Sequence, residues 1–352
     1  MRIAQVAPLA ESVPPKLYGG TERVVSWLTE DLVALGHRVT LFASGDSVTA
    51  GQLVSVWPRA LRLGKPRVDP IVALTMALQH ISDRATEFDI IHCHLDWVHL
   101  PLLRRLRVPF LTTLHGRLDL PGLTGLVKVF PNAPFVSISH RQQAALPGAN
   151  WAATVYHGMP PDVLGLCYEP GSYLAFLGRL SPEKGAEAAI RIARFANLPL
   201  RISAKVPRDG SRYFKEKIEP QLDEQIRFVG EVNDAQKQEF LGKAIALLFP
   251  IDWPEPFGLV MIEAMACGTP VVAFRRGSVP EVVEHGVSGL IVDNETEAVG
   301  ALSKITTLDR GHVRQAFERR FTTRRMANDY LSIYNRLVGT SESECDDRRA
   351  VA

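Results

Sequence analysis

Short apolar runs alternate along the whole chain with longer stretches in which apolar residues recur at helical spacing. This rhythm predicts an α/β protein of parallel strands covered by helices, not a sandwich or a bundle. In the first half the expected strands are Ile3–Ala7, Val39–Ala43, Ile90–His94, Phe110–Leu114, Phe135–Ile138 and Thr154–Tyr156. The second half repeats the pattern with Tyr173–Leu177, Leu200–Ala204, Ile226–Val229, Ala246–Phe249, Val271–Ala273 and Leu290–Val292. Between the halves, His157-Gly158-Met159-Pro160-Pro161 interrupts both periods and predicts a linker. Near the end, Met326, Tyr330, Ile333, Tyr334 and Leu337 share one helical face within Phe321–Leu337, predicting a helix that stops before Gly339. Residues 340–352 are polar and aperiodic and predict a frayed or disordered tail.

At 352 residues the chain exceeds one ordinary core, so two Rossmann-like domains follow. No run approaches the roughly 18 apolar residues of a membrane span, and Met1–Pro8 reads as a first strand, too soon interrupted for a secretory signal. Cys93, Cys167, Cys267 and Cys345 are scattered without metal-type or disulfide-framework spacing, so a reducing cytoplasm is expected. Residues 1–160 carry 15 basic and 11 acidic groups, a mildly basic balance. Arg59, Arg62, Lys65 and Arg67, with Arg104, Arg105 and Arg107, read first as a solvated face and second as a peripheral membrane contact. Nucleic acid is not an expected partner, because no aromatic-interleaved basic stripe occurs.

The most informative stretch runs from Trp253 to Pro270 and holds two glutamates, Glu255 and Glu263. Pro254 and Pro256 keep Glu255 out of a helix, whereas Leu259–Ala266 is built of helix formers and is followed by Gly268, a ready C-terminal cap. Glu255 is therefore expected on a loop and Glu263 inside a helix. The amides of Phe257, Gly258 and Leu259 would lie at that helix's N-terminus, where backbone donors and the dipole suit phosphate or sugar oxygens. The plain alternative is a capped core helix.

Three further loops follow expected strands. In Gly178-Arg179-Leu180-Ser181-Pro182-Glu183-Lys184-Gly185, Arg179 and Lys184 stand at a strand's carboxyl end, where parallel sheets receive ligands. Two fixed cations there suit a departing anion, although a surface turn would carry the same residues. Tyr18-Gly19-Gly20-Thr21 precedes a helix with apolar Val24, Val25, Leu28 and Leu32; Thr21 is the expected N-cap and Gly20 would admit a ligand to the free amides. His115 ends Thr112-Thr113-Leu114-His115-Gly116 and is expected to project from the sheet edge. His92, His94 and Asp96 alternate onto one face, a pattern open to a metal reading, but no D-x-D motif for a metal-diphosphate clamp occurs. The absence of G-x-G-x-x-G counts against a nicotinamide-dependent dehydrogenase.

Glu255 and Glu263 within EPFGLVMIEAMACGTPVVA resemble the signature of retaining glycosyltransferases of family 4, which use nucleotide-sugar donors. The resemblance extends from Gly19-Gly20 to the last helix. It implies the GT-B architecture, two Rossmann-like domains whose parallel sheets face across a cleft. Residues 1–160 would form the acceptor domain, joined by a crossover helix at about 321–338, and residues 161–320 the nucleotide-sugar domain. It implies that Glu263 binds the ribose hydroxyls, Glu255 the donor sugar, and Arg179 and Lys184 the pyrophosphate. Phe257, Gly258 and Leu259 would lie by sugar and phosphate, and Gly19 and Gly20 would admit donor and acceptor. His115 would contact the transferred sugar, and His94, Asp96 and Trp97 would wall the acceptor side. The implied function is retaining, metal-independent transfer from a UDP- or GDP-sugar to a lipid, saccharide or small-molecule hydroxyl, without a cofactor. A nucleotide-sugar epimerase or phosphorylase, or a silent binding protein on the same fold, remains as an alternative. The chain departs from the pattern at His157-Gly158, where many relatives have Asn-Gly, at Arg275-Arg276-Gly277-Ser278, which replaces a Gly-Gly turn, and at Ala204-Lys205-Val206-Pro207.

Overall fold

The computed structural model describes the chain apart from Leu17, Tyr18, Leu63, Pro66, Pro170 and residues 207–210 and 351–352, with side chains described as far as Gly339. Tyr18 and Pro207 of the motifs above thus lie outside the described residues. Two units emerge, Met1–Gly158 with Thr323–Ala352, and Met159–Thr322.

The first unit holds a parallel seven-stranded sheet of β1 (Arg2–Val6), β2 (Arg38–Ser44), β3 (Gln52–Trp57), β4 (Ile90–Cys93), β5 (Phe110–Thr113), β6 (Phe135–Ser137) and β7 (Trp151–Thr154). Their order is β3-β2-β1-β4-β5-β6-β7. The central strands are buried along their length, as a sheet covered on both faces requires. β3 was not expected from the sequence. It returns parallel to β2 after only residues 45–51, without the helical crossover that announces the other strands. β7 also lies a few residues earlier than the pattern suggested.

The second unit holds a parallel six-stranded sheet of β8 (Tyr173–Arg179), β9 (Leu200–Lys205), β10 (Ile226–Gly230), β11 (Ala244–Phe249), β12 (Val271–Phe274) and β13 (Gly289–Val292), ordered β10-β9-β8-β11-β12-β13. Ile190, Ile202, Ile226, Leu248 and Leu302 meet in its core. In each sheet the strand order reverses beside the first strand, between β1 and β4 and between β8 and β11. At such switch points the loops leaving the carboxyl ends diverge and open a crevice.

The C-terminal helix, Thr323–Ala350, belongs to the first unit. Tyr330 and Tyr334 are buried in it, Arg325 donates to the carbonyls of Tyr156 and His157, and Arg324 pairs with Asp31 at 3.1 Å. The helix continues through Gly339, where the sequence predicted its end. One interior glycine costs a helix about 1 kcal/mol, too little to stop it unaided. The side chains of the expected tail lie outside the described residues.

Candidate functional site

In the second unit, the loop after β8 is drawn onto the end of β11 by Gly185. Its φ is +77°, and a Cβ there would stand 2.0 Å from the Pro250 carbonyl oxygen, so a side chain would push the loop away. The close approach carries Lys184 to Glu255. Its ammonium makes a short ion pair with Glu255 Oε2, and Trp253 Nε1 donates to the same oxygen at 2.7 Å. Lys184 Nζ also lies 4.2 Å from the Trp253 ring centroid, within cation–π range. Glu255 is 8% exposed, so its charge is largely desolvated and depends on these partners. From the other side the turn after β12 clasps the Glu255 loop. Ser278 N–H donates to the Glu255 carbonyl at 2.9 Å, and Ser278 Oγ to the Phe257 carbonyl at 2.8 Å. A Cβ on Gly277, where φ is +50°, would lie 2.3 Å from the Glu255 nitrogen. The departure at Arg275–Ser278 therefore retains the glycine that the contact needs.

The helix Leu259–Ala266 begins at Gly258, whose φ of +82° would strain any side chain there, with Met261 and Phe249 close by. Phe257 is core, its ring edge-on to Phe321 at 5.9 Å between centroids, so its backbone rather than its side chain is what it presents. Gly268, at φ +73°, closes the helix, with Thr269 N–H reaching the Ala264 carbonyl. Glu263 is buried on this helix and accepts from Lys237 Nζ at 2.6 Å; Lys237 also lies 3.6 Å from Asp234. Arg179 ends β8 and opens the loop that holds Lys184. It donates to Glu183 Oε1 at 3.0 Å, an oxygen it shares with Ser181 Oγ, while its buried Nε has no hydrogen-bond partner among the described residues.

In the first unit, histidines line the ends of β4 and β5. His92 is held on both nitrogens, by Tyr334 OH and Thr113 Oγ1, each at 2.7 Å. His94 is likewise held, by His115 Nε2 at 2.8 Å and Gln5 Oε1 at 2.9 Å. With these nitrogens engaged, the alternating face is a hydrogen-bond network, and no group of three or more metal-ligating side chains occurs among the described residues. Burial lowers the basicity of His115 to about 3, and also lowers that of His92, His94 and His157, so the rings are neutral at neutral pH. His157 stacks on His115 with centroids 5.2 Å apart. Asp96 is exposed in a left-handed conformation, φ +52°, and Trp97 packs beside Leu100 and Leu114. Gly19 precedes the helix Gly20–Ala34 as its N-cap, which moves Thr21 into the first turn. A Cβ on Gly19 would meet Pro15 at 2.7 Å, and glycine serves as an N-cap nearly as well as threonine.

Residues 18–156 match the family model Glycosyltransferase Family 4, and residues 167–319 match Glycosyl transferases group 1. The chain belongs to the family 4 glycosyltransferases. Among its relatives, a phosphatidyl-myo-inositol mannosyltransferase of Mycobacterium leprae is 27% identical over 390 residues, spanning 98% of this chain and 99% of its own. An uncharacterized glycosyltransferase of Methanocaldococcus jannaschii is 26% identical over 342 residues, 82% of this chain and 85% of its own. The crystal structure of AviGT4, a glycosyltransferase involved in avilamycin A biosynthesis, matches with a TM-score of 0.74 at 25% identity, covering 96% and 98% of the two chains.

In this glycosyltransferase, Lys184 and Glu255 are brought into contact and Glu263 lies on the helix that begins three residues after the Glu255 loop's second proline. His94 and His115 meet in the other unit. Sequence reasoning missed Trp253 as a partner of Glu255, Lys237 as the partner of Glu263, and Gln5, Tyr330 and Tyr334 behind the histidines. Lys237 carried one faint signal, its position in the first turns of a helix opened by an Asn233–Gln236 capping box after β10.

Proposed function

We propose that the chain transfers a sugar from a UDP- or GDP-sugar to a hydroxyl acceptor with retention of anomeric configuration and without a metal ion. The observation that carries this reading is the convergence of Lys184 and Trp253 on Glu255 at the β8–β11 switch point, beside the amides that open the helix Leu259–Ala266. Breaking the sugar–phosphate bond leaves negative charge on the nucleotide. Lys184, the Arg179 guanidinium and the helix amides are the groups proposed to receive it. The unpartnered Arg179 Nε supports an anion at this place, since a buried donor is costly without an acceptor. Glu263 would take the ribose hydroxyls and Glu255 the hydroxyls of the sugar. His115, with Gly19 and Gly20, would serve the sugar and acceptor, and His94, Asp96 and Trp97 the acceptor side.

No carboxylate other than Glu255 is proposed beside the anomeric carbon, and Glu255 is committed to Lys184 and Trp253. The course that fits is a same-face substitution, in which the departing phosphate oxygen accepts the proton of the incoming hydroxyl. The mannosyltransferase relative supports a lipid or saccharide acceptor for this chain. The test is product stereochemistry by NMR in the presence of a chelator. An axial donor should give an axial product. An inverted product, loss of turnover with the chelator, or a trapped glycosyl-enzyme would each contradict the corresponding part of the proposal.

A further inference from the structure

Behind His115 runs one continuous chain of hydrogen bonds reaching the C-terminal helix. His115 Nε2 meets His94 Nδ1 at 2.8 Å, and His94 Nε2 meets Gln5 Oε1 at 2.9 Å. Gln5 Nε2 donates to Tyr334 OH at 3.1 Å, which meets His92 Nδ1 at 2.7 Å; His92 Nε2 meets Thr113 Oγ1 at 2.7 Å, which meets Tyr330 OH at 2.8 Å. At the open end His115 Nδ1 is buried and has no partner among the described residues.

The amide of Gln5 gives this chain a direction. A carboxamide oxygen accepts, so His94 Nε2 must carry the proton and donate to it. A neutral imidazole has one N–H, so His94 Nδ1 is then an acceptor, and His115 Nε2 must donate to it. That leaves Nδ1 of His115 with a bare lone pair. On the other side the Gln5 amide nitrogen donates to Tyr334, Tyr334 to His92 Nδ1, and His92 Nε2 to Thr113. Turning the amide over would reverse every link and leave His115 presenting an N–H instead.

We propose that Gln5 is the positioning residue that fixes the tautomer of His115, so that its Nδ1 accepts a hydroxyl hydrogen from a substrate and disfavours an anionic oxygen. That this hydroxyl belongs to the transferred sugar rests on the glycosyl-transfer reading; the tautomer does not. A site built to receive a hydroxyl hydrogen discriminates strongly against an analogue that lacks it.

The experiment is 15N NMR of the ligand-free full chain with labelled histidine, the His115 signals being assigned by their loss in His115→Asn. The expected wild-type spectrum shows His115 Nδ1 at the downfield position of an unprotonated ring nitrogen and Nε2 at the protonated position. A protonated Nδ1 would overturn the proposal without recourse to any further variant. Gln5→Met removes the acceptor that pins His94, and the Nδ1 signal should then move upfield as both tautomers populate. Gln5→Glu, at mildly alkaline pH, keeps an acceptor in place and should hold the wild-type position. An unmoved signal in Gln5→Met, or an equal displacement in both variants, would overturn the roles given to Gln5. Because no sugar is present, failure here leaves glycosyl transfer standing, and a chain without transfer activity leaves the tautomer standing.

Discussion

Lys184 and Glu255, 71 positions apart in the sequence, form an ion pair whose side chains are 14% and 10% exposed, with the indole N–H of Trp253 on the same carboxylate oxygen. Each charge depends on the other for its place. If Lys184 receives the departing phosphate, Lys184→Ala should lower kcat/KM by about a hundredfold or more, as loss of one preorganised charge-stabilising group does. Trp253→Phe keeps a ring beneath the ammonium but removes the donor, and about a tenfold loss is expected, the scale of one hydrogen bond to a charged group. Steady-state turnover of the three proteins checks this; a Lys184→Ala enzyme of wild-type activity would remove Lys184 from the reaction.

Gly277 should be nearly irreplaceable. A methyl group would meet the Glu255 backbone at 2.3 Å in a left-handed conformation, so Gly277→Ala must shift the loop that carries the carboxylate. A loss of about 1–3 kcal/mol of stability is expected, with a larger proportional loss of turnover. Gly116 has nothing within 4 Å of its ideal Cβ, and Gly116→Ala is the matched control. Urea melts and activity measured on both variants separate the two effects.

Arg310 is a structural prediction rather than a catalytic one. Its guanidinium reaches the carbonyls of Cys167, Gly242 and Ala244 at 2.6, 2.7 and 3.0 Å and Thr269 Oγ1 at 2.6 Å, tying the entry to β8, the start of β11 and the end of the helix carrying Glu263. Arg310→Met leaves several buried acceptors without donors and should cost about 3 kcal/mol or more. Equilibrium denaturation measures it.

The buried histidines set a pH dependence of stability. Burial holds His99 and His115 down at about 3, and His92, His94 and His157 are lowered by burial first and by neighbouring charges second. Between those values and the unfolded value of 6.5 the unfolded chain binds more protons, so stability rises with pH across that window and levels off above it. Each fully neutral histidine contributes a slope of up to about 1.4 kcal/mol per pH unit. Denaturation between about pH 5 and pH 6.5 isolates this effect in a Glu22→Gln, Asp96→Asn background, because desolvation raises those two carboxyls and gives them the opposite slope, while the paired carboxylates titrate lower. A flat profile there would mean that the rings are protonated in the fold.

How much of this was legible in the sequence varied with the range of the interaction involved. The helix Leu259–Ala266 was read to its ends because its stop signals, Pro256 and Gly268, are local. The strands separated from their predecessor by a helical stretch were legible, and β3 was missed because no helix separates it from β2. The partners of the site residues were not legible. Lys184 and Glu255 meet through a glycine contact 65 residues across, from Gly185 to Pro250, and Gln5 meets Tyr334 across 329 positions. Arg179, by contrast, has its partner within the loop it opens, Glu183 four residues away.

The central claim is a nucleotide-sugar site formed by Lys184, Glu255 and Glu263, and its most direct test is thermal stabilisation of the purified protein by UDP-, GDP- and ADP-sugars, with Glu263→Ala and Lys184→Ala alongside. A ligand at about a hundred times its Kd should stabilise the fold by about 2.7 kcal/mol. The account predicts a rise in Tm with one nucleotide class, abolished in both variants. No rise with any class, or a rise that both variants retain, would contradict it.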